Sequence, residues 1–516
     1  MTDRFDAVVI GAGHNGLVCA SYLARAGMKV LVCEAGAGPG GMAAPRDFGT
    51  GYRVPSLAHI ACPISDILRK DLDLDRHGYS SGDPLKTLAL DTENGPVTIS
   101  GDTASGRSLG DADIAAFRDF RNRYLDFASA LAPLFENKPP RLKNMAPGDT
   151  KTLAKLGWKV RFGLGRDAMY EFLRVAAINI YDVLNETFDD ERLKAAIAFD
   201  AVIGSAMGPR TPGTVLTWLA RLACERNGAA TLTNAALPAA LVASAEFAGA
   251  KIRFGCPVAR ILLDDDRATG VELVGGDSVP ARLVVSAVDP RTTFRTLVGA
   301  ARLDAMFAHR VTQIRGAGVV GKLHLGLTGL PEFGGVDASE LGQRLLIAPS
   351  MRHIERAFNF SKYGECSERP VFEITIPSLA DASLAPDGHH VMSINVAYLP
   401  YHLKGGWAEH KPRIVDALIA GLSAYAPGID ALIAEHEFLS PADIEQEYGA
   451  VEGHWHHGEM SIHQSFMLRP LYGAAQYDTP VDKLFLASAG SHPGGGLTGL
   501  PGRNAAQRIL ELGGSS

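Results

Sequence analysis

The chain has 516 residues, with 50 Lys and Arg against 57 Asp and Glu for a net charge of -7, and is 46% hydrophobic and 21% charged. That length accommodates two or three packed units, and the hydrophobic share excludes wholesale disorder. The acidic balance, without any arginine-rich block, excludes a surface built to neutralise phosphates, so nucleic acid is not a predicted partner.

At the amino terminus Thr2, Asp3, Arg4 and Asp6 lead straight into the apolar run AVVIG. With no basic n-region and no long h-region, this reads as a cytoplasmic protein without a signal peptide. The stretch FDAVVIGAGHNGLVCASYLARAGMKVLVCEAG predicts a strand, a glycine turn, a helix and a second strand. Gly11 permits the tight turn, Gly13 admits a pyrophosphate, and Gly16 lets helix and strand pack closely. Glu34 ends the second strand, where a carboxylate accepts hydrogen bonds from ribose hydroxyls. Strand, glycines, helix, strand and acid in that order predict a dinucleotide site that also takes in His14, Asn15 and Ala35; a bare tight turn would leave Glu34 unexplained.

Directly after Glu34 comes AGAGPGGMA, with Gly40, Gly41 and Met42. Glu34 followed by this glycine pair resembles the large flavoprotein group that contains amine oxidases and carotenoid desaturases. The resemblance implies that the pair lies along the diphosphate of FAD, and that FAD rather than NAD is the cofactor.

Residues 61–230 read as a mainly helical insertion, from DIAAFRDFRNRYLDFASALAPLF and DDERLKAAIAFDAVIG. Within it KTLAKLGWKVRFGLGRDAMYEFLRVAA mixes Lys151, Lys155, Lys159, Arg161 and Arg166 with Leu153, Leu156, Trp158 and Phe162. Such a segment suits peripheral contact with anionic lipid, or else a packing helix with a solvated basic face. The Ala-rich AALPAALVASAEFAGA is broken by Pro238 and Glu246 and is no membrane span. Residues 231–310 read as a second part of the cofactor domain, with five short strands and turns at Asp264 to Asp266 and at Gly275-Gly276. Residues 311–470 read as a substrate domain on a mixed sheet, from the strands in RPVFEITIPS and HHVMSINVAYLP and the helix KPRIVDALIAGLSAYAPGI.

His454, His456, His457 and His463 crowd the stretch VEGHWHHGEMSIHQSFMLRP. Zinc sites close on three or four protein ligands, and no Asp or Cys partner motif accompanies these, so no metal is predicted. The six cysteines, Cys19, Cys33, Cys62, Cys224, Cys256 and Cys366, stand singly and read as reduced structural thiols. Electron relay from NAD(P)H through a disulfide lacks both a cysteine motif and a second nucleotide-binding unit, and hydrolysis lacks a G-x-S-x-G elbow.

Residues 1–60 and 471–516 complete the predicted cofactor domain. In GSHPGGGLTGLPGRNAA, Gly494, Gly496 and Gly499 formally spell a second dinucleotide fingerprint, yet only 17 residues follow Gly499, too few for another crossover and strand. The stretch reads instead as a turn between the strand in DKLFLASAG and the helix in GRNAAQRILEL, with Pro501 near its first turn. Its glycines would let backbone press on a flat ring, and the helix N-terminus would stabilise negative charge there. Gly499, Leu500 and Asn504 are assigned to that ring end, and Gly490 to cofactor binding.

Taken together, VVIGAGHNGLVCASYLARAG, EAGAGPGGMA, GYRVPSLAHI, GEMSIHQSFMLRP and GSHPGGGLTGLPGRNAA resemble phytoene dehydrogenase-related flavoproteins over nearly the whole chain. One departure is RNGAATLTNAALPAA, where that group carries a richer glycine turn. The resemblance implies an α/β fold: a discontinuous Rossmann-like FAD-binding domain of the amine-oxidase and desaturase type, a mixed-sheet substrate domain and the helical insertion. It places Val258 and Ala287 against the adenine part of FAD. It implies hydride transfer between flavin N5 and an apolar polyene, isoprenoid or ring-containing substrate, in the direction of desaturation or saturation. An amine oxidase-like enzyme and a binding or regulatory protein with structural FAD are the alternatives, and an oligomer is left open. His463 and His492 are the candidate proton relays, because imidazole titrates near neutrality; each also suits a structural role.

Overall fold

Strands β1 (Phe5–Ile10) and β2 (Val30–Cys33) are apolar nearly throughout, as strands covered on both faces must be. In the computed structural model, which describes residues 4–513 apart from 142, 144 and 227, they pair in parallel from Ala7↔Val30 to Ile10↔Cys33. Thr2, Asp3 and Asn227 of the unusual RNGAATL turn therefore lie outside the described residues. Helix α1 (His14–Arg25) crosses between the two strands.

The chain continues through a three-stranded meander, β3 (Thr87–Ala89), β4 (Val97–Ser100) and β5 (Thr103–Ser105). Helices follow: α2 (Asp111–Glu136), α3 (Pro147–Trp158), α4 (Arg166–Val175), α5 (Glu191–Val202), α6 (Thr214–Glu225) and α7 (Ala236–Phe247). Next come β6 (Lys251–Arg253), β7 (Val258–Asp264), β8 (Arg267–Leu273) and β9 (Ser278–Ser286). The remainder holds β10 (Val320–Leu327), β11 (Arg344–Ile347), β12 (Val371–Thr375), β13 (His390–Ala397), α8 (Trp407–Ser423), β14 (Ile433–Leu439), β15 (Leu484–Leu486) and α9 (Leu500–Gly513).

Two sheets organise these elements. The first runs β6-β2-β1-β9-β8-β7 with β15 also on β9, so a parallel layer drawn from both ends of the chain carries an antiparallel meander. The second runs β14-β10-β13-β12-β11-β3-β4-β5 and is antiparallel except where β11 meets β3. This is the Rossmann-like cofactor domain and mixed-sheet second domain that the sequence predicts.

Two local expectations are corrected. The predicted helical insertion contributes three strands to the second sheet; Asp91 Oδ1 accepts from the Glu93 and Asn94 N–H groups, an Asx turn that reverses the chain between β3 and β4. The expected five strands of the 250–290 stretch are four, because β9 runs unbroken through Pro280, pairing with β8 at one end and with β1 at the other.

The insertion has its own core. On α2, Phe117, Phe120, Tyr124, Phe127 and Leu131 recur at three- and four-residue spacing, and Phe120 stacks on Trp218 of α6 at 5.4 Å. Each such side chain contributes roughly 1.5–3 kcal/mol by leaving water, which holds α2 and α6 together as walls for the space described next. No described helix is long and apolar enough to cross a membrane.

Candidate active site at the carboxyl ends of the parallel strands

Both glycine motifs of the amino-terminal unit meet at the carboxyl end of β1, where open α/β sheets bind ligands. Gly11 has φ +99, and its N–H donates to the Cys33 carbonyl at 2.8 Å, tying the turn to β2. A Cβ on Gly16 would lie 2.1 Å from the Gly11 carbonyl oxygen and 3.0 Å from Ala287 Cβ, whereas one on Gly13 would meet no protein atom within 4 Å. Gly40, with φ +107, donates its N–H to the Ala12 carbonyl at 2.9 Å, and a Cβ on Gly41 would stand 3.6 Å from Gly13 Cα. The two motifs thus lie directly against each other at the uncapped start of α1, where backbone N–H groups favour an anion.

Glu34 accepts from the Ala12 N–H at 2.6 Å and the Gly36 N–H at 2.8 Å, which fixes its carboxylate at the mouth of the turn. Ala35 beside it is exposed. Cys256 N–H donates to the Glu34 carbonyl at 2.8 Å, so the link from β6 brings half-buried Val258 to the same end.

The carboxyl-terminal turn completes the space. Gly494, Gly496 and Gly499 all have positive φ, at +124, +102 and +70. A Cβ on Gly490 would lie 2.5 Å from Pro290, and one on Gly502 2.1 Å from the Asn15 carbonyl oxygen, so α9 lies directly on α1. Gly502 is a close-packing glycine that the sequence reading missed within GLPGRN. Met42 receives the Leu57 and Ala58 N–H groups on its carbonyl, each at 3.1 Å. Asn504 Nδ2 donates to the Tyr477 hydroxyl at 3.1 Å, which donates in turn to the His492 carbonyl at 2.8 Å.

Several buried polar atoms around this space have no hydrogen-bond partner among the described residues: Asn15 Oδ1, His457 Nδ1, Ser491 Oγ and Asn504 Oδ1. Each would cost about 1–3 kcal/mol if left so. The donors and acceptors, the open Gly13 and the glycine-lined turns fit a cofactor rich in phosphate and hydroxyl oxygens with a flat ring, as FAD is.

The histidines divide. His463 is exposed and meets only Ser461 Oγ, at 3.1 Å, among the hydrogen bonds it makes. His492 is buried, and its Nε2–H donates to the Leu134 carbonyl at 2.6 Å, leaving Nδ1 without a partner. His14 is pushed to about 4 by burial and by nearby His457, and burial holds His456 at about 3.

A pH dependence follows from buried histidines such as His59 and His492, each 1% exposed. Burial lowers both to about 4, with Lys322 adding to the effect at His59. Both are neutral when folded, while the unfolded chain takes up their protons below about pH 6.5. The depressed values thus give stability that is present above pH 6.5 and is lost as pH falls toward 4. Each is expected to remove about 2 kcal/mol between pH 7 and pH 5, read as a lower urea midpoint, and H492Q to flatten the slope; equal midpoints at the two pH values contradict this.

Beside the carboxyl-terminal turn lies a cavity of ≈ 350 Å³, walled by α2, α5, α6, the 456–460 segment and Gly495-Gly496. Ala132, Phe135, Ile203, Ala220, Met460 and Leu500 make much of it apolar. Its carboxylates are matched: Glu136 pairs with Arg226, and Asp200 lies 2.7 Å from Arg344 and 3.5 Å from Arg221. From Arg344 a buried network runs into the second sheet. Arg344 Nε donates to Glu373 at 2.7 Å, Asn395 donates to the other Glu373 oxygen at 2.7 Å, and Lys322 donates to Asn395 at 2.9 Å. Burial opposes the Glu373 charge, but Arg344 and the His59 hydrogen bond hold its carboxyl well below the ordinary range. None of this network was legible in the sequence.

The cysteines are not all solitary. All six are free thiols, but Cys62 and Cys224 hydrogen-bond each other in the cavity wall, and Cys33 meets Cys256.

Comparison with known proteins bears on this geometry. The model of the family described as flavin containing amine oxidoreductase matches residues 181–510, and that of an NAD(P)-binding Rossmann-like domain matches residues 9–72. The chain is 31% identical to pyridine nucleotide-disulfide oxidoreductase domain-containing protein 2 of Rattus norvegicus, over 98% of this chain and 93% of that one. It is 27% identical to hydroxyneurosporene desaturase of Cereibacter sphaeroides, over 98% and 97%. Putrescine oxidase bound to putrescine shares the fold, with a TM-score of 0.61, 15% identity and full coverage of both chains. With its glycine turns, Glu34 and the carboxyl-terminal turn gathered at one sheet end, the chain belongs to the flavin-containing amine oxidoreductase family and is an FAD-dependent oxidoreductase.

Proposed function

We propose that this enzyme moves a hydride between FAD and a C–H bond of an apolar, unsaturated or ring-containing substrate held in the ≈ 350 Å³ cavity. The observation that carries the reading is the charge balance of the wall. Its carboxylates, Glu136 and Asp200, already face arginines, so an ammonium group entering the cavity finds no spare counter-ion, while Phe135, Ile203, Ala220 and Met460 suit hydrocarbon. The desaturase relative named above supports the same reading.

FAD, when bound, supplies the hydride acceptor or donor. In this proposal Gly11, Gly13, His14, Asn15, Gly16, Gly40, Gly41 and Met42 hold the diphosphate side, and Glu34 and Ala35 the ribose. Val258 and Ala287 flank the adenine part. Gly490, Gly499, Leu500 and Asn504 support the ring end, and the apolar wall orients substrate and excludes water. His492 stays neutral and holds the glycine turn against α2 through Leu134; Nδ1 is the atom it keeps for a proton.

Substrate delivery from an anionic lipid surface belongs to the same proposal. Trp158, Phe162, Tyr170 and Leu173 are exposed on α3, the turn after it and α4, among Lys151, Lys159 and Arg161, and Lys155 of α3 lines the cavity.

The test presents cyclic terpenes, polyenes and mono- and diamines to the holoenzyme and reads products by mass. The expected product differs from an apolar substrate by two hydrogens, and W158D/F162D turns over vesicle-borne substrate at least about 10-fold more slowly while detergent-solubilised substrate is unaffected. Ammonia and peroxide from an amine, with no conversion of any apolar compound, would establish the amine oxidase alternative instead.

A further inference from the structure

Cys62 lies between the short strand Ile60–Ala61 and the helix Asp66–Asp71, and Cys224 in the last turn of α6, so two cysteines remote in sequence meet in one cavity wall. Their side chains hydrogen-bond each other, and both are partly accessible. Arg221 stands one turn before Cys224 and lines the same cavity. The pair is asymmetric: the hydrogen bond from Cys224, and Arg221 after it, lower the Cys62 thiol, whereas the same hydrogen bond and burial raise Cys224 well above its ordinary value. Two neighbouring thiols with a guanidinium in the same wall make up the parts of an attacking and a resolving pair, and Cys62, against the Gly496 turn, is the sulfur placed to attack. The second pair lacks this arrangement. Cys33 is 1% exposed, and burial pushes its thiol up to about 12.

We propose that Cys62 and Cys224 form a peroxide-reactive dithiol site in the cavity wall, oxidised reversibly to a disulfide by hydrogen peroxide or an organic hydroperoxide. The Cys62 sulfur attacks the peroxide; an S–O bond forms, the O–O bond breaks, and water or the corresponding alcohol leaves after taking a proton. The Cys224 sulfur then attacks Cys62, an S–S bond forms, the S–O bond breaks, and water leaves with the Cys224 proton. Two thiols and one hydrogen peroxide become one disulfide and two waters, with two electrons passing from sulfur to oxygen. The new bond ties α6 to the segment before Asp66–Asp71 within the cavity wall, beside the glycine turn, where Gly496 would bring a Cβ within 3.8 Å of Cys62 Sγ.

The test uses reduced holoenzyme treated with one equivalent of hydrogen peroxide, alkylated and digested without reductant. The expected result is a Cys62–Cys224 linked peptide, a thiol count falling from six to four, and recovery on reduction. C224S, or C224A if the serine variant retains less flavin than wild type, is expected to trap a dimedone-reactive sulfenic acid at Cys62, and C62S to give none. A count that stays at six, a disulfide between Cys33 and Cys256, or sulfenic acid elsewhere in C224S overturns the proposal.

Discussion

Gly16→Ala is expected to leave purified protein with less than about one-tenth of the wild-type flavin per chain, because a Cβ there would stand 2.1 Å from the Gly11 carbonyl oxygen. The obstacle is backbone, and the backbone has no slack: Gly11 is anchored by its N–H to Cys33 and turned to φ +99, and Ala287 closes the other side. To admit the methyl, α1 must move off β1, which disorders the turn for any ligand. Gly13→Ala separates cofactor loss from misfolding. Its Cβ meets no protein atom, so the thermal midpoint of the apoprotein should stay within about 1 °C of wild type, while FAD affinity falls at least about 10-fold because the methyl occupies the space assigned to the diphosphate. Flavin absorbance per chain and apoprotein melting read both effects. G13A with full flavin content, or with an apoprotein as unstable as that of G16A, contradicts the assignment.

Arg344→Met should cost about 3–5 kcal/mol of stability, the range for removing one partner of a buried ion pair. Arg344 is 3% exposed and lies 2.7 Å from both Asp200 and Glu373, so its loss leaves Glu373 inside the sheet without its guanidinium and Asp200 in the cavity wall with only Arg221, 3.5 Å away. R344K retains the charge but not the fork that reaches both acids, and should fall between the two. Urea denaturation of the apoproteins measures the difference. A loss under about 1 kcal/mol for R344M would show that the network is bridged in another way.

What could be read from sequence was what is local. Gly11, Gly13, Gly16 and Glu34 lie within one strand–helix–strand unit, and each glycine answers to a contact inside it. The carboxyl-terminal turn was legible for the same reason: β15, the glycines and α9 are consecutive, and too little chain follows for a second nucleotide unit. The cavity was not legible because its walls come from seven separate stretches. Asp200, Arg344 and Glu373 meet only because β11 runs between β3 and β12, bringing Leu345 opposite both Leu88 and Ile374. That pairing depends on β3, whose three residues are too short to show an alternating pattern within a helical region. Cys62 and Cys224 escaped notice in the same way, since their proximity comes from tertiary packing and not from spacing. His463 and His492 illustrate the limit on histidines: both sit in motif-like stretches, and only burial distinguishes the exposed ring from the one locked to Leu134.

Anaerobic mixing of the FAD-loaded enzyme with a cyclic terpene or polyene, followed at the flavin absorption band, tests the central claim most directly. Hydride transfer in the apolar cavity predicts bleaching of the band by at least one such compound, slowed in A220F, which fills the cavity, with the flavin content unchanged. Bleaching by amines alone, with every apolar compound leaving the band intact, would contradict it.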